Sequence, residues 1–374
     1  MRAACVSYDV ADPIEALVRD LGDTGLEIVI IFVSPLADVD LVIQQAKKRF
    51  APTQVVGCTT AGEISGSGYA EGNIVAIGFP SQNFRAKILF VEDLNDFKGH
   101  DLIHQMLLNS NAMKREKSEW QSEFNFLMID GLSTQEDALT AHLSTGLGSI
   151  PLFGGSAGDG TDFDKTFILH DGKTHSNAGM LIQFRSNCPV SVFKSDHFLP
   201  TEQRMVVTSA DPAARRVHQI NAEPAAREYA RMLGKDANQL STMTFAAHPV
   251  VVRMGGQHHV RSIQQVADSD DLLFFSAIDE GMVLSLADPQ DMVEHLEAQM
   301  SALSSQKAPD LILACDCVFR KIEAEQKQLT GKISDILADN RVVGFSTYGE
   351  QFNSIHINQT LTGVAIYPPD EAET

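Results

Sequence analysis

Apolar residues along this chain gather in short runs, separated by stretches where they recur at three- and four-residue intervals. The runs at 28–33, 124–129 and 311–314 read as strands, and helical periodicity follows each at 38–50, 135–147 and 318–337. After each helix come two apolar residues and a glycine-rich string. Val55-Val56 leads into Gly57-Cys58-Thr59-Thr60-Ala61-Gly62-Glu63. Leu152-Phe153 leads into Gly154-Gly155-Ser156-Ala157-Gly158-Asp159, and Val342-Val343 into Gly344-Phe345-Ser346-Thr347-Tyr348-Gly349-Glu350. Further apolar runs close the three sets at 74–79, 180–184 and 361–367. A single glycine-rich turn after a strand is commonplace, but three in the same surroundings point to internal repetition.

The repeated unit is strand, helix, strand, turn, strand. A strand-helix-strand connection favours neighbouring parallel strands, and the turn can then return the chain antiparallel. The predicted fold class is α/β, with two domains of mixed sheets built from repeated strand-helix-strand-turn-strand units. Before the first unit, a strand is expected over 1–9 and a helix over 13–21, with Asp12 as its cap and Pro13 in its first turn. Between the first and second units lie an expected strand at 87–91, a helix over 94–109, either continuous or broken at Gly99, and an exposed polar connector at 111–123 around Trp120. Short strands are expected at 190–193 and 206–208. The pattern changes near residue 210, which divides the chain into domains at 1–212 and 213–367 with an acidic tail at 368–374. In the second domain, strands are expected at 217–220, 250–254, 272–275 and 282–286, and helices at 224–233 and 290–304.

Composition narrows the classes of function. The 374 residues are 44% apolar and 21% charged, the profile of a soluble globular protein with room for two domains. Acidic residues outnumber basic ones 49 to 29, for a formal net charge of -20. This disfavours binding to nucleic acid or to an anionic membrane, both of which need cationic footprints. It suits docking to a positively charged face of a protein partner. Five cysteines form no secreted disulfide framework, so a reducing cytoplasm is the expected location. The N-terminus lacks the apolar core of a signal peptide, and no run of apolar residues is long enough to predict a membrane span.

Five strings resemble the FIST family: VVGCTTAGE at 55–63, HPVVVRMGGQHHVRSIQ at 248–264, CDCVFR at 315–320, GFSTYGE at 344–350 and NQTLTGVAIY at 358–367. The resemblance implies an N-terminal and a C-terminal FIST domain acting as a ligand-sensing input module for signal transduction. As a free-standing pair of such domains with a CDCVFR string, the chain is similar to the family's haem-binding, nitric-oxide-sensing members. That similarity implies haem b as cofactor, nitric oxide as signal and a partner histidine kinase.

Candidate residues follow from the chemistry. An axial haem ligand is most often a histidine, although Cys, Met and Tyr also serve. Of the 12 histidines, His259, His248 and His356 stand out. His259 follows the Gly255-Gly256 turn, and its neighbour His258 should face the opposite side of the strand. His248 precedes a proline and a strand, and His356 alternates with Ile355 and Ile357. Arg253 and Arg261 bracket the same turn, where a guanidinium would match a haem propionate or the carboxylate of an amino-acid-like ligand.

The haem-independent alternative is a sensor of an amino acid or other small molecule. It would use the hydroxyls of Thr59, Thr60, Ser346 and Thr347, with Glu63 and Glu350 suited to an amine or a backbone N–H. Equally, the strings can preserve tight turns between core strands. Cys315 and Cys317 face one side of a strand, where they can bind metal, respond to redox state or pack. There is no Gly-x-Ser-x-Gly elbow, no His-Glu-x-x-His and no dinucleotide fingerprint, so the expectation is a binding protein and not an enzyme. An oligomer is compatible with all of this.

Overall fold

The computed structural model describes residues 1–254 and 256–369. It is a mixed α/β protein in which one structural unit occurs three times. The first unit runs through strand Arg2–Ser7, helix Pro13–Leu21, strand Leu26–Val33, helix Val39–Phe50, strand Gln54–Thr59, a hairpin of Glu63–Ser65 and Gly68–Ala70, and strand Asn73–Pro80. The second repeats this order with Phe84–Val91, Gly99–Glu116, Ser122–Ile129, Glu136–Leu147, Leu152–Ser156, the hairpin Ile168–His170 with Lys173–His175, and Gly179–Ser186. The third opens with Val190–Ser195 and resumes at helix Met292–Ser304. It continues through Leu311–Cys317, helices Val318–Gln326 and Thr330–Asp339, Val342–Thr347, the hairpin Glu350–Phe352 with Ile355–Ile357, and Leu361–Ile366.

Each unit builds a sheet whose last strand runs antiparallel to the central one, while the strand carrying the glycine string lies parallel to it. The hairpins do not stay with their own sheets. The hairpin of the first unit extends the third sheet, pairing Ile64 with Gly344. That of the second extends the first sheet, pairing Ile168 with Cys58. That of the third extends the second, pairing Glu350 with Gly155. This closed exchange ties the three sheets into one body, because none is complete without its neighbour.

Alternation along the strands sends one face of every sheet into a shared core and the other against helices. Ile28, Ile30 and Phe32 point into the common core, whereas Val29, Ile31 and Val33 meet the helices of their own unit. At the centre, Phe32 of the first unit stacks on Phe345 of the third with ring centroids 4.4 Å apart. The same Phe32 stands edge-on to Phe126 of the second unit at 6.3 Å. Aromatic pairs in such offset and edge geometries add to what burial alone contributes.

Between Ser195 and Asp291 the third unit carries an insertion, an antiparallel eight-stranded sheet with two short helices. Its first and last strands in spatial order, Gln257–Arg261 and Ile263–Val266, are separated in sequence only by Ser262, so the sheet curls back on itself. The insertion's core takes in Ala61 and Tyr348 from two of the glycine strings, together with Cys317, Val318 and Phe319. The insertion therefore sits on the ends of the repeated strands.

Most predicted elements are present, with several corrections. The alternative break at Gly99 is the start of helix Gly99–Glu116, which runs through much of the stretch read as a connector. Trp120 is buried rather than exposed, and its carbonyl accepts from the Arg185 guanidinium. The single helix expected over 318–337 is two helices. Asp288-Pro289, read as a helix start, ends strand Val283–Pro289, and Asp291 caps the helix instead. The short strand expected at 206–208 belongs to the long strand Phe198–Asp211. The boundary expected between 212 and 213 falls at the turn between that strand and its antiparallel partner Arg216–Ile220. The expected acidic tail lies outside the described residues from 370 onward.

Candidate ligand cleft at the junction of the three turns

The three glycine strings meet. The Ala61 amide donates to the Ser346 carbonyl at 2.9 Å, and the Ser346 amide donates to the Gly62 carbonyl at 2.7 Å. The Ser156 amide reaches the Gly349 carbonyl at 2.8 Å, and the Tyr348 amide returns to the Ser156 carbonyl at 3.3 Å. The ring closes where Gly158 donates to the Thr59 carbonyl and Gly160 to the Thr60 carbonyl, both at 3.1 Å. Backbone groups that would otherwise be orphaned at the ends of three sheets thus satisfy one another.

The leading glycine of each string has a steric cause. A Cβ on Gly57 would lie 1.8 Å from the Ile31 carbonyl oxygen of the neighbouring parallel strand. The equivalent distances are 2.2 Å from Leu127 for Gly154 and 1.8 Å from Ala314 for Gly344.

The string side chains are mostly committed to the turns themselves. Thr59, Thr60, Glu63, Ser346, Thr347 and Glu350 are all buried. Thr59 Oγ1 accepts from the Phe167 amide at 3.0 Å. Thr60 donates to Glu63, whose second oxygen accepts from the Asn73 amide at 3.0 Å. Thr347 donates to Glu350, whose second oxygen accepts from the Thr360 amide at 3.1 Å and hydroxyl at 2.8 Å. Both acids therefore serve the backbone N–H role rather than meeting an amine. Burial pushes the Glu63 carboxyl up to about 7 and that of Glu350 to about 8, although these hydrogen bonds oppose it. Among the described residues Ser346 Oγ has no partner.

Beside this junction opens a cleft of about 370 Å³ lined by all three units. The first contributes Leu36, Gly62, Glu63 and Glu71, the second the 159–162 loop, and the third Val318, Lys321, Ile322 and Glu325 of helix Val318–Gln326. Lys321 is nearly buried, with 9% of its side chain exposed, and its Nζ lies 2.6 Å from Oε1 of Glu71, which is 74% exposed. A Cβ on Gly62 would come within 2.8 Å of the Lys321 ammonium, so this glycine leaves room for the charge. Lys321 follows the CDCVFR string directly, and neither spacing nor periodicity singled it out. Its neighbour Arg320 is fully buried and paired with Asp316 at 2.6 Å.

The histidines and arginines chosen from the sequence lie elsewhere. His356 is buried, with Nδ1 3.3 Å from Gln351 Nε2 and Nε2 3.3 Å from the Phe275 carbonyl oxygen. His248 is half-buried at the C-terminal cap of helix Thr242–Ala247. His258 and His259 do face opposite ways: His258 is exposed and His259 is buried, with Nδ1 unpartnered and its pKa depressed by burial to about 4. Arg253 is exposed and lines an open groove of about 540 Å³ with His258, Glu202 and Arg204, while Arg261 is buried. Residues bracketing one turn thus serve separate environments. His356 has both ring nitrogens engaged by neighbours, and Arg253 and Arg261 do not converge as a pair of propionate anchors would. This arrangement does not fit a haem held by the named histidines and arginines. Cys315 and Cys317 are buried thiols with pKa values raised well above normal by burial. Among the described residues no group of three or more His, Cys, Asp or Glu is placed to hold a metal ion.

Family models match most of the chain: the FIST N domain over residues 27–223 and the FIST C domain over 225–353. The chain belongs to the FIST family. FIST domains are sensor domains of signal transduction that bind small ligands. The FIST N match begins at the second strand of the first unit and runs through the second unit, the opening strand of the third and the beginning of the insertion, and the FIST C match carries the rest through the third glycine string. The chain is also similar to the uncharacterised protein MJ1623 of Methanocaldococcus jannaschii, at 21% identity over 94% of this chain and 75% of that protein. Among solved structures it aligns with T. maritima PurL complexed with ADP, at 10% identity and a TM-score of 0.19, over 98% of this chain and 72% of the other. A second PurL structure, complexed with AMPPCP, gives 11% identity and a TM-score of 0.20, over 95% and 69%. At such TM-scores the alignment carries no structural or functional inference. Among the described residues no helix is long and apolar enough to cross a membrane.

Proposed function

We propose that this FIST protein is a cytoplasmic sensor of a small zwitterion of the amino-acid class, bound in the cleft at the junction of the three turns. The carrying observation is Lys321: a nearly buried ammonium whose counter-charge, Glu71, is mostly exposed, in a cleft lined by every repeat. A ligand carboxylate displaces the exposed partner Glu71 and takes the ammonium. Asp162 and Glu325 on the cleft wall face the ligand's amine. Because the Glu71 end of the pair is 74% exposed and solvated, exchanging that carboxylate for a ligand's costs little, while the buried ammonium keeps a counter-charge throughout.

Occupancy becomes a signal because the cleft walls belong to three units. A ligand that bridges the 159–162 loop, the first hairpin region and helix Val318–Gln326 favours the arrangement in which all three are seated. The same helix packs beneath the insertion, through Val318 and Phe319, and so relates cleft occupancy to the insertion's position. The receiving partner is a signalling protein, a histidine kinase in the reading that the family resemblance implies. Haem and nitric oxide find less support, since the named histidines and arginines form no common haem pocket.

A thermal-shift panel of the twenty proteinogenic amino acids tests this directly. Saturable stabilisation by one amino acid or a few chemically related ones is expected. No response across the panel, together with a Soret band that shifts with nitric oxide after haem is supplied, would replace this reading with the gas-sensing one.

A further inference from the structure

The seam between the insertion and the repeated core holds a second polar cluster, apart from the cleft. At its centre is Arg261, 3% exposed. Among the described residues no carboxylate lies within ion-pair distance of it. One Nη donates to the His356 carbonyl, the other lies 3.7 Å from Met254 Sδ, and Nε has no partner. A buried guanidinium without a counter-charge is costly, and proteins seldom retain one unpaired. Asp137 is near enough to favour the charged form, but its Oδ2 accepts from the Ala277 amide at 3.1 Å and sits 3.9 Å from Arg215. Glu136 is paired with Arg215. The two carboxylates are thus both on the Arg215 side.

The other unfilled groups in this seam are chiefly donors. Arg215 Nε, Ser262 Oγ and Asn358 Nδ2 are buried without partners among the described residues, and the three residues are 6%, 1% and 0% exposed. They belong to one connected cluster. Asn358 Oδ1 accepts from the Ser276 hydroxyl at 2.7 Å and the Ser262 amide at 3.3 Å. Arg215 Nη1 donates to the Phe275 carbonyl at 2.6 Å, and the Phe275 amide donates back to Ser262 at 3.1 Å. Two acceptors, Gln351 Oε1 and Gln359 Oε1, are also left open among the described residues and leave room for a ligand hydroxyl or amine. Unpartnered buried polar groups of this number in one place call for an occupant.

We infer that this seam is a binding site for a small oxyanion or carboxylate, with Arg261 as its counter-charge and Ser262, Asn358 and Arg215 as its hydrogen-bond donors. The guanidinium and the donor-rich wall match the two oxygens of such an anion better than they match water. Arg261, Ser262 and Arg215 come from the insertion, whereas Asn358 comes from the third unit. The anion therefore fastens the insertion to the core, and it does so independently of the zwitterion cleft.

The test is a melting series on the full chain in acetate, malonate, phosphate and chloride, all as sodium salts at matched ionic strength. One of the oxyanions should raise Tm saturably by roughly 3 °C. Arg261→Met should lose that saturation while melting no lower than wild type without anion, since it removes an uncompensated charge. Lys321→Met, in the separate cleft, should keep the response. An equal, unsaturating shift with all four salts overturns the proposal, because general salt effects suffice. So does saturation by chloride alone, or a saturable oxyanion response that survives in Arg261→Met. Should Arg261→Met fail to fold, Asn358→Asp places an internal carboxylate in the cluster and should abolish the response; retention of full saturation there overturns the site.

Discussion

The Tyr348 hydroxyl of the third glycine string donates to the Asp159 carboxylate of the second. Asp159 in turn accepts from the amides of Phe163 at 3.0 Å, Asp164 at 2.8 Å and Lys165 at 2.6 Å, holding the loop that forms one wall of the cleft. One repeat thereby positions a ligand-facing segment of another. Tyr348→Phe should cost about 2 kcal/mol, the usual range for a buried hydrogen bond to a charged acceptor. It should also weaken cleft binding more than it lowers global stability. Equal hydrogen-exchange protection of residues 159–165 in the variant and wild type would contradict this role for Tyr348.

The leading glycines give a steric prediction. Alanine at Gly57, Gly154 or Gly344 drives a methyl into a backbone carbonyl that cannot retreat without parting two parallel strands. Each substitution should cost roughly 3 kcal/mol or more. Gly331→Ala is the contrast, because among the described residues no atom beyond its chain neighbours and its own helix backbone stands within 4 Å of an added Cβ, and the position is helical. It should be neutral or stabilising by up to about 1 kcal/mol. Urea denaturation of the four variants checks the pair of expectations, and similar midpoints for all would defeat them.

Burial of Glu350 and Glu63 gives stability a pH dependence of definite sign. Their folded-state values, about 8 and about 7, lie above the ordinary glutamate value of 4.5. Between pH 6.5 and 8 the unfolded chain has already released these protons while the folded chain still holds part of them, so stability falls as pH rises. The buried histidines His356 and His259 have lowered values and act below this window, where they disfavour the acid side. Glu350→Gln should flatten the decline measured by chemical denaturation from pH 6.5 to 8. A slope unchanged from wild type would mean that Glu350 does not titrate there.

The repeats were legible in sequence because each central strand is apolar throughout and each string begins with a glycine imposed by strand contact. The exchange of hairpins was not legible. Glu350–Phe352 pairs with Leu152–Ser156, almost two hundred residues away, and nothing local to either segment encodes that partner. The long strand Phe198–Asp211 escaped notice because its exposed edge carries Thr201, Glu202, Gln203 and Arg204 in place of an apolar alternation. For the site, Glu63 and the glycine turns stood out, but a single lysine on a helix has no signature, and Lys321 acquires its role only from the cleft around it. Arg261 was legible as an arginine beside a turn; that it is buried and unpaired depends on the insertion folding over it.

Gly62 offers a second handle on the cleft. Valine there would press its side chain toward the Lys321 ammonium, from a backbone φ of 128° that favours glycine. Gly62→Val should therefore reduce ligand affinity at least ten-fold, with the oxyanion response at the seam unchanged. Loss of both responses would point to general misfolding instead of a blocked cleft.

The most direct measurement is calorimetric titration of wild type and Lys321→Met, side by side, with each amino acid that stabilises the wild-type chain. The expected result is one site per chain in wild type and at least a ten-fold loss of affinity in Lys321→Met, with the fold intact. Equal affinity in the two proteins would contradict a cleft organised on Lys321, and no binding by wild type would contradict the zwitterion sensor itself.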